Sequence, residues 1–226
     1  MITKFIIFSD ARTGGTHITS KLNSHPDVCS MTEPFPHNNL LLHDEQIEWM
    51  EKLFSTKGKL ALGFRTKIEH QANLLDFINY VNKNNVTCFS LQRRNIVKKA
   101  ISRITGLKLY YEIKDYNRKS NSYTQQAVEI NPGELIEQIK ECETQLQITQ
   151  KFLSELHSYT ILYYEDLLID EDAFFSKILQ KLNIRDAELK TSVFKNVGDD
   201  LSKSISNYSE IKERLQDTPY INDLIH

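Results

Sequence analysis

The chain has 226 residues, 40% of them hydrophobic and 10% aromatic, which is enough for one substantial core and short for two full domains. Lys plus Arg number 28 against 30 Asp plus Glu, a formal charge of -2, so no global basic field points to nucleic acid or an anionic membrane. Any anion site must therefore be local. In chain order, residues 5–9 read as a first strand, because the apolar run is too short for a secretory leader and is soon broken by Asp10 and Arg12. Further strand candidates are residues 28–31, 60–66, 86–91 and 160–164, several of them near-continuous apolar runs of the kind buried parallel strands show. Between them lie helical patterns over residues 16–23, 44–54, 70–82, 96–104, 132–156 and 171–182.

This alternation predicts an α/β fold, a P-loop-like parallel sheet flanked by helices on both faces, in one domain over residues 1–226. Asn131 followed by Pro132 gives the long helix its start, an Asn cap with proline at the first helical position. Its apolar residues recur at helical spacing, so it reads as scaffold. Residues 108–124 are rich in Tyr, Asn, Ser and Lys and lack clean periodicity, which suits a mobile surface segment or a substrate lid. Cys29, Cys88 and Cys142 are odd in number and far apart, the pattern of buried thiols in a reducing compartment, and the expected location is the cytoplasm. No stretch approaches the roughly 20 apolar residues of a membrane span. The seven histidines show no metal-binding spacing, so no metal is expected. The sequence leaves the oligomeric state open.

The first informative site is the run from Ser9 through Arg12, Thr13, Gly14, Gly15 and Thr16 to His17, between the first strand and the first helix. A strand, a tight Gly loop and a helix N-terminus aim backbone N–H groups and the positive helix end at an anion. Against G-x-x-x-x-G-K-[ST], Gly14 and Thr16 match, Ser9 replaces the first Gly, and Gly15 replaces the lysine. Arg12 can supply the missing charge, its planar fork suiting phosphate or sulfate oxygens. A second site opens at the end of the fourth strand with Arg93, Arg94 and the cap candidate Asn95, and continues to Ser102 about two helical turns on. Arg93, Lys98, Lys99 and Arg103 read as a solvated helix face, whereas Arg94 and Ser102 read as anion contacts.

Four stretches, in this order, resemble the sulfotransferases that use 3'-phosphoadenosine 5'-phosphosulfate (PAPS), particularly the bacterial carbohydrate branch that includes trehalose and nodulation-factor sulfotransferases. The run Arg12-Thr13-Gly14-Gly15-Thr16 resembles the R-[ST]-G-[ST]-[ST] loop for the 5'-phosphosulfate. Arg94 with Ser102 resembles the 3'-phosphate motif. The segment from Met31 to Phe35, with Glu33, resembles the acidic stretch after the second strand, and the run from Tyr163 to Leu167 resembles a late YEDL strand end. The stretch from Ile205 to Glu210 is a softer match to N-Y-x-E-L. Gly15 departs from the pattern, standing where a hydroxyl residue is usual.

The resemblance implies in-line sulfuryl transfer to a hydroxyl of a carbohydrate-like or small-molecule acceptor, without a metal, leaving adenosine 3',5'-bisphosphate (PAP). It implies donor contacts from Arg12, Thr13, Gly14, Gly15, Thr16, His17, Arg94 and Ser102. Catalysis would fall to Arg12 and to Glu33 as general base. Phe35 would face the acceptor, and Arg65 and Lys67, in a run similar to a family G-F-K stretch, would hold the acceptor or the sulfate. Both also fit as polar strand-end residues. Tyr164 could contact the adenosine end or belong to the core. His17, His37 and His70 are rival bases or acceptor contacts, and Lys195 and Lys203 are candidates for the 3'-phosphate. Two readings compete: a divergent P-loop small-molecule kinase, which the strand, loop and helix alone would also fit, and a nucleotide-binding module that binds PAP but has lost transfer chemistry.

Overall fold

The computed structural model describes residues 2–35, 43–113, 127–191 and 200–225. Five strands form one parallel sheet: β1 (Thr3–Ser9), β2 (Val28–Thr32), β3 (Ala61–Thr66), β4 (Thr87–Gln92) and β5 (Thr160–Tyr163). Their spatial order is β2-β3-β1-β4-β5, so the chain leaves central β1 toward one edge and later crosses to the other. Carboxyl ends of strands on either side of such a crossing are where α/β sheets bind ligands.

The chain divides into two compact units, Met1–Gln92 with Ile148–Thr191, and Arg93–Gln147 with Ser192–His226. In the first unit, the two-residue period of β1 sends its side chains to opposite faces. Phe5 and Ile7 join Ile18 and Leu22 of α1 (Gly15–Asn23), Leu167 of α6 (Tyr164–Ile169), and Phe174, Phe175, Ile178 and Leu179 of α7 (Glu171–Lys181). Ile6 and Phe8 join residues from α2 (His43–Phe54) and α3 (Leu74–Lys83), together with Phe152 and Leu153 near the end of α5 (Pro132–Ser154). Helices thus cover both faces of the sheet, as the alternation of elements predicts.

The second unit has its own cluster, built from α4 (Ile96–Ile113), the N-terminal part of α5, α8 (Leu201–Ser204), α9 (Tyr208–Leu215) and α10 (Ile221–Ile225). Asn207 ties this unit together: its side chain accepts from the Ile130 N–H at 3.0 Å and donates to the Ile130 carbonyl at 2.8 Å, as a neighbouring strand would.

Each expected strand is present to within two residues at either end. Two expectations need correcting. Residues 108–113, read as aperiodic, continue α4, while residues 114–126 lie outside the described residues. The expected fifth strand stops at Tyr163, and Tyr164 opens α6 instead. The thiols match expectation in burial, since Cys88 and Cys142 are buried and Cys29 is half-buried. Burial pushes the Cys88 thiol up to about 12, leaving it protonated and unreactive at neutral pH. Among the described residues no helix is long and apolar enough to cross a membrane.

Candidate active site

The loop after β1 is shaped by its own residues. The Ala11 N–H donates to Asp10 Oδ1 at 2.6 Å, and the buried Thr13 Oγ1 donates to the Asp10 carbonyl at 2.8 Å. Gly14 takes a left-handed conformation, φ 85°, as the residue capping α1, and no side chain caps that end. The leading N–H groups of α1 therefore stay directed at the loop, the arrangement that binds anions. Gly14 is also required by space: a Cβ there would lie 2.7 Å from Cδ2 of Tyr164, whose ring packs over the loop. Tyr164 is thus a wall of the loop.

Arg65 joins this loop to the end of β2. The register sets it opposite Ile7 of β1 on one side and Thr32 of β2 on the other, one strand position before the sheet's carboxyl edge. Its Nη1 donates to Ser9 Oγ at 3.2 Å and pairs with Glu33 Oε1 at 2.8 Å, while Nη2 lies 3.5 Å from Thr16 Oγ1. The Glu33 N–H donates to the Arg65 carbonyl at 2.9 Å, so backbone and side chain both tie Glu33 to β3. Arg65 is 7% exposed. Burial pulls its guanidinium below the ordinary value, and Glu33 acts in the opposite sense. A guanidinium starts so high that Arg65 remains a cation at neutral pH.

Four described non-glycine residues have positive φ: Arg12 at 66°, Glu33 at 39°, Asn85 and Asn183. The two asparagines follow helices α3 and α7, where asparagine adopts this region readily. Arg12 and Glu33 lack that excuse, and such backbone cost is concentrated at functional sites.

The other candidates fall in varied places. Phe35 is fully buried against Trp49 and Phe64, with ring centroids 5.0 and 5.6 Å away, so it anchors the end of the Glu33 segment in the core. Lys67 pairs with Glu69 at 3.6 Å. His17 Nε2 lies 2.8 Å from Glu171 Oε1, and Lys21 pairs with the other oxygen of the same carboxylate. Burial pushes Glu171 up, but hydrogen bonds and charge from Lys21 and His17 outweigh it and hold the carboxyl below its ordinary value. His37 and Lys195 lie outside the described residues. Among the described residues no group of three His, Cys, Asp or Glu is placed to hold a metal.

In the second unit, Asn95 caps α4 as expected, accepting from the Lys98 N–H at 2.7 Å, and Asp223 Oδ2 accepts from the Ile96 N–H at 3.2 Å. Arg94 is exposed just before the helix, and Ser102 is buried. The expected solvated face is wrong for Lys99, which is 6% exposed. Val97, Ala100, Ile101 and Ile104 bury so much of the circumference of α4 that the Lys99 stem is covered too. Arg103 is half-buried and pairs with Glu141 at 3.7 Å. Lys203 pairs with Asp200 at 3.2 Å on the surface.

Comparison with known proteins places the fold. No protein-family model matches the chain, and no curated protein matches it by sequence. Among solved structures, the sulfotransferase domain from the curacin biosynthetic pathway matches with a TM-score of 0.46 and 14% identity, over 83% of this chain and 76% of that one. The crystal structure of a sulfotransferase from Alicyclobacillus acidocaldarius matches with a TM-score of 0.54 and 14% identity, over 100% of this chain and 96% of that one. The parallel sheet with helices on both faces is therefore a sulfotransferase-like fold.

Proposed function

We propose that this chain is a PAPS-dependent sulfotransferase of the cytoplasm, with both units serving one sulfotransferase domain, acting on a hydroxyl of a carbohydrate-like or small-molecule acceptor without a metal. The observation that carries this reading is the convergence of an uncapped helix N-terminus, a buried guanidinium and a carboxylate at the ends of three adjacent parallel strands. Transfer of an anionic group needs N–H donors and positive charge around it and a base beside the incoming oxygen. Loop amides, Arg12 and Arg65 fit the first need, and Glu33 fits the second.

PAPS would supply the sulfuryl group. Its 5' end would be held by Arg12, Thr13, Gly14, Gly15 and Thr16, and its 3'-phosphate by Arg94 and Ser102. Glu33, paired with Arg65 Nη1 at 2.8 Å, would take the proton from the acceptor hydroxyl. The bonds to Arg65 and the left-handed turn of its backbone leave Glu33 directed by β2 and β3 rather than by a free loop. Lys67 would meet the acceptor beyond the strand end. His17 is drawn to Glu171 on the side of α1, which supports Glu33 over His17 as the base.

Thermal unfolding with PAP, ADP, ATP and AMP tests the nucleotide class. A ligand at a hundred times its Kd adds about 2.7 kcal/mol of stability, so PAP should raise Tm well above the other three at equal concentration. Preference for ATP would move the chain to the kinase reading.

A further inference from the structure

Two glutamine side chains meet one face of the sheet at its carboxyl edge. The strand register sets Phe8 of β1 between Thr66 of β3 and Ser90 of β4, and both hydroxyl residues are fully buried. Strands alternate their side chains, so Thr66 points to the same face as Leu62 and Phe64, and Ser90 to the same face as Cys88. Gln71 Nε2 donates to Thr66 Oγ1 at 3.0 Å, and Gln92 Nε2 donates to Ser90 Oγ at 3.1 Å. Each hydroxyl thus carries an amide head. The two hydroxyl residues are two strand spacings, about 10 Å, apart.

The head of Gln71 is fixed by more than Thr66. Its Nε2 also donates to the Lys67 carbonyl at 2.9 Å, and a carbonyl only accepts, so the amide nitrogen faces that way and the oxygen the other. Its backbone is clamped by Gln46 of α2, 2% exposed, which donates to the His70 carbonyl at 2.8 Å and accepts from the Ala72 N–H at 3.0 Å. One buried amide therefore holds the residues on either side of Gln71. What remains is Gln71 Oε1, buried and without a hydrogen-bond partner among the described residues. Leaving a buried acceptor unpaired is costly, so an atom held this firmly without a donor calls for an explanation. The proposed base is close along the chain: the Glu33 N–H donates to the Arg65 carbonyl, one residue before Thr66, and Phe35 packs on Phe64 of the same face.

We propose that Gln71 and Gln92 form the acceptor subsite of this chain and select a neutral saccharide, in which one hydroxyl beside the reacting one donates to Gln71 Oε1 and another meets the half-buried Gln92 amide. This rests on the sulfotransferase reading above and narrows its acceptor to a polyhydroxylated one. An amide carries a donor and an acceptor without charge, which matches hydroxyls that both give and take hydrogen bonds. Phenol or cyclohexanol has no second hydroxyl for Oε1, and a site built to hydrogen-bond a hydroxyl rejects analogues that lack it.

Initial rates of labelled sulfate transfer from PAPS by the full chain test this, with glucose, maltose and trehalose as saccharide probes and phenol and cyclohexanol as single-hydroxyl probes. Gln71→Met and Gln92→Met keep the side-chain length and remove the amide, with circular dichroism and PAP titration as controls for fold and donor binding. Wild type should favour a saccharide over the single-hydroxyl probes by at least about tenfold in kcat/KM. Each variant should lose at least about tenfold toward that saccharide, mostly in KM, with PAP affinity within about twofold of wild type. Rates on the single-hydroxyl probes should stay unchanged, which a general loss of structure would not spare. Folded variants with saccharide kcat/KM within about twofold of wild type, or a wild type that prefers phenol or cyclohexanol, would overturn the proposal. If Gln71→Met does not fold, Gln92→Met decides alone. A wild-type chain that binds no PAP sinks the functional reading and this inference together, whereas one that binds PAP yet sulfates no saccharide sinks the inference alone.

Discussion

The strand ends of the first unit and the start of α4 in the second both carry candidate anion contacts, but they are built differently. In the first, Ser9, Glu33 and Arg65 come from three strand ends whose parallel register fixes their spacing, and hydrogen bonds join all three. In the second, Arg94 and Ser102 sit on or before one helix, whose start is fixed by Asn95 and Asp223. A site tied across several strands suits chemistry, which needs groups held in place as charge develops. A site along one helix suits recognition. Substitutions in the two regions should therefore separate transfer from binding.

The largest effect belongs to the first region. Glu33→Gln should transfer at least about a hundredfold more slowly in a single turnover while binding PAP nearly as well as wild type, because a general base acts in the transition state. Gln can still accept from Arg65 Nη1, which guards the fold. Near wild-type transfer would remove Glu33 from the chemistry and cost the first region its special status.

In the second region the loss should be in discrimination. Wild type should bind PAP more tightly than AMP, and Arg94→Ala should erase roughly tenfold or more of that preference, in line with one charge-assisted contact to phosphate. Calorimetry with both nucleotides reads this directly. Equal affinities in wild type would remove the recognition role from α4.

The smallest effect sharpens the boundary of the first region. Glu171 titrates below its ordinary value in the folded chain, so its stabilising contribution is complete above the ordinary 4.5 and is lost as pH falls through the lower folded value. The Tm advantage of wild type over Glu171→Gln should thus be present at neutral pH and vanish in acid. PAP affinity should not change, since Glu171 holds His17 and Lys21 beside the loop. An advantage that persists unchanged in strong acid, where the carboxyl is protonated in the folded chain too, would contradict the assignment.

Much of this was legible in the sequence. The strands announced themselves as apolar runs, and the loop by its two glycines after a strand. Asn131-Pro132 and Asn95 marked helix starts that the structure reproduces. What could not be read is what depends on register. Arg65 reads in the sequence equally as a site contact and as a polar strand-end residue, and only the place of β3 between β1 and β2 sets it against Ser9 and Glu33. Phe35 comes after Glu33 and Pro34 in a segment that reads as loop, yet its ring enters a cluster with Trp49 and Phe64. Lys99 was misread because the burial around α4 is set by partners distant in sequence. Helices α8, α9 and α10 are only four, eight and five residues long, too short for an apolar pattern to announce them in the sequence.

The central claim is tested most directly by incubating the chain in excess EDTA with PAPS labelled in its sulfuryl group and a panel of mono- and disaccharides, with Glu33→Gln alongside. Labelled sulfate should appear on an acceptor hydroxyl with wild type and be greatly slowed with the variant. No transfer from PAPS to any acceptor, with phosphoryl transfer from ATP that depends on Mg2+, would contradict it.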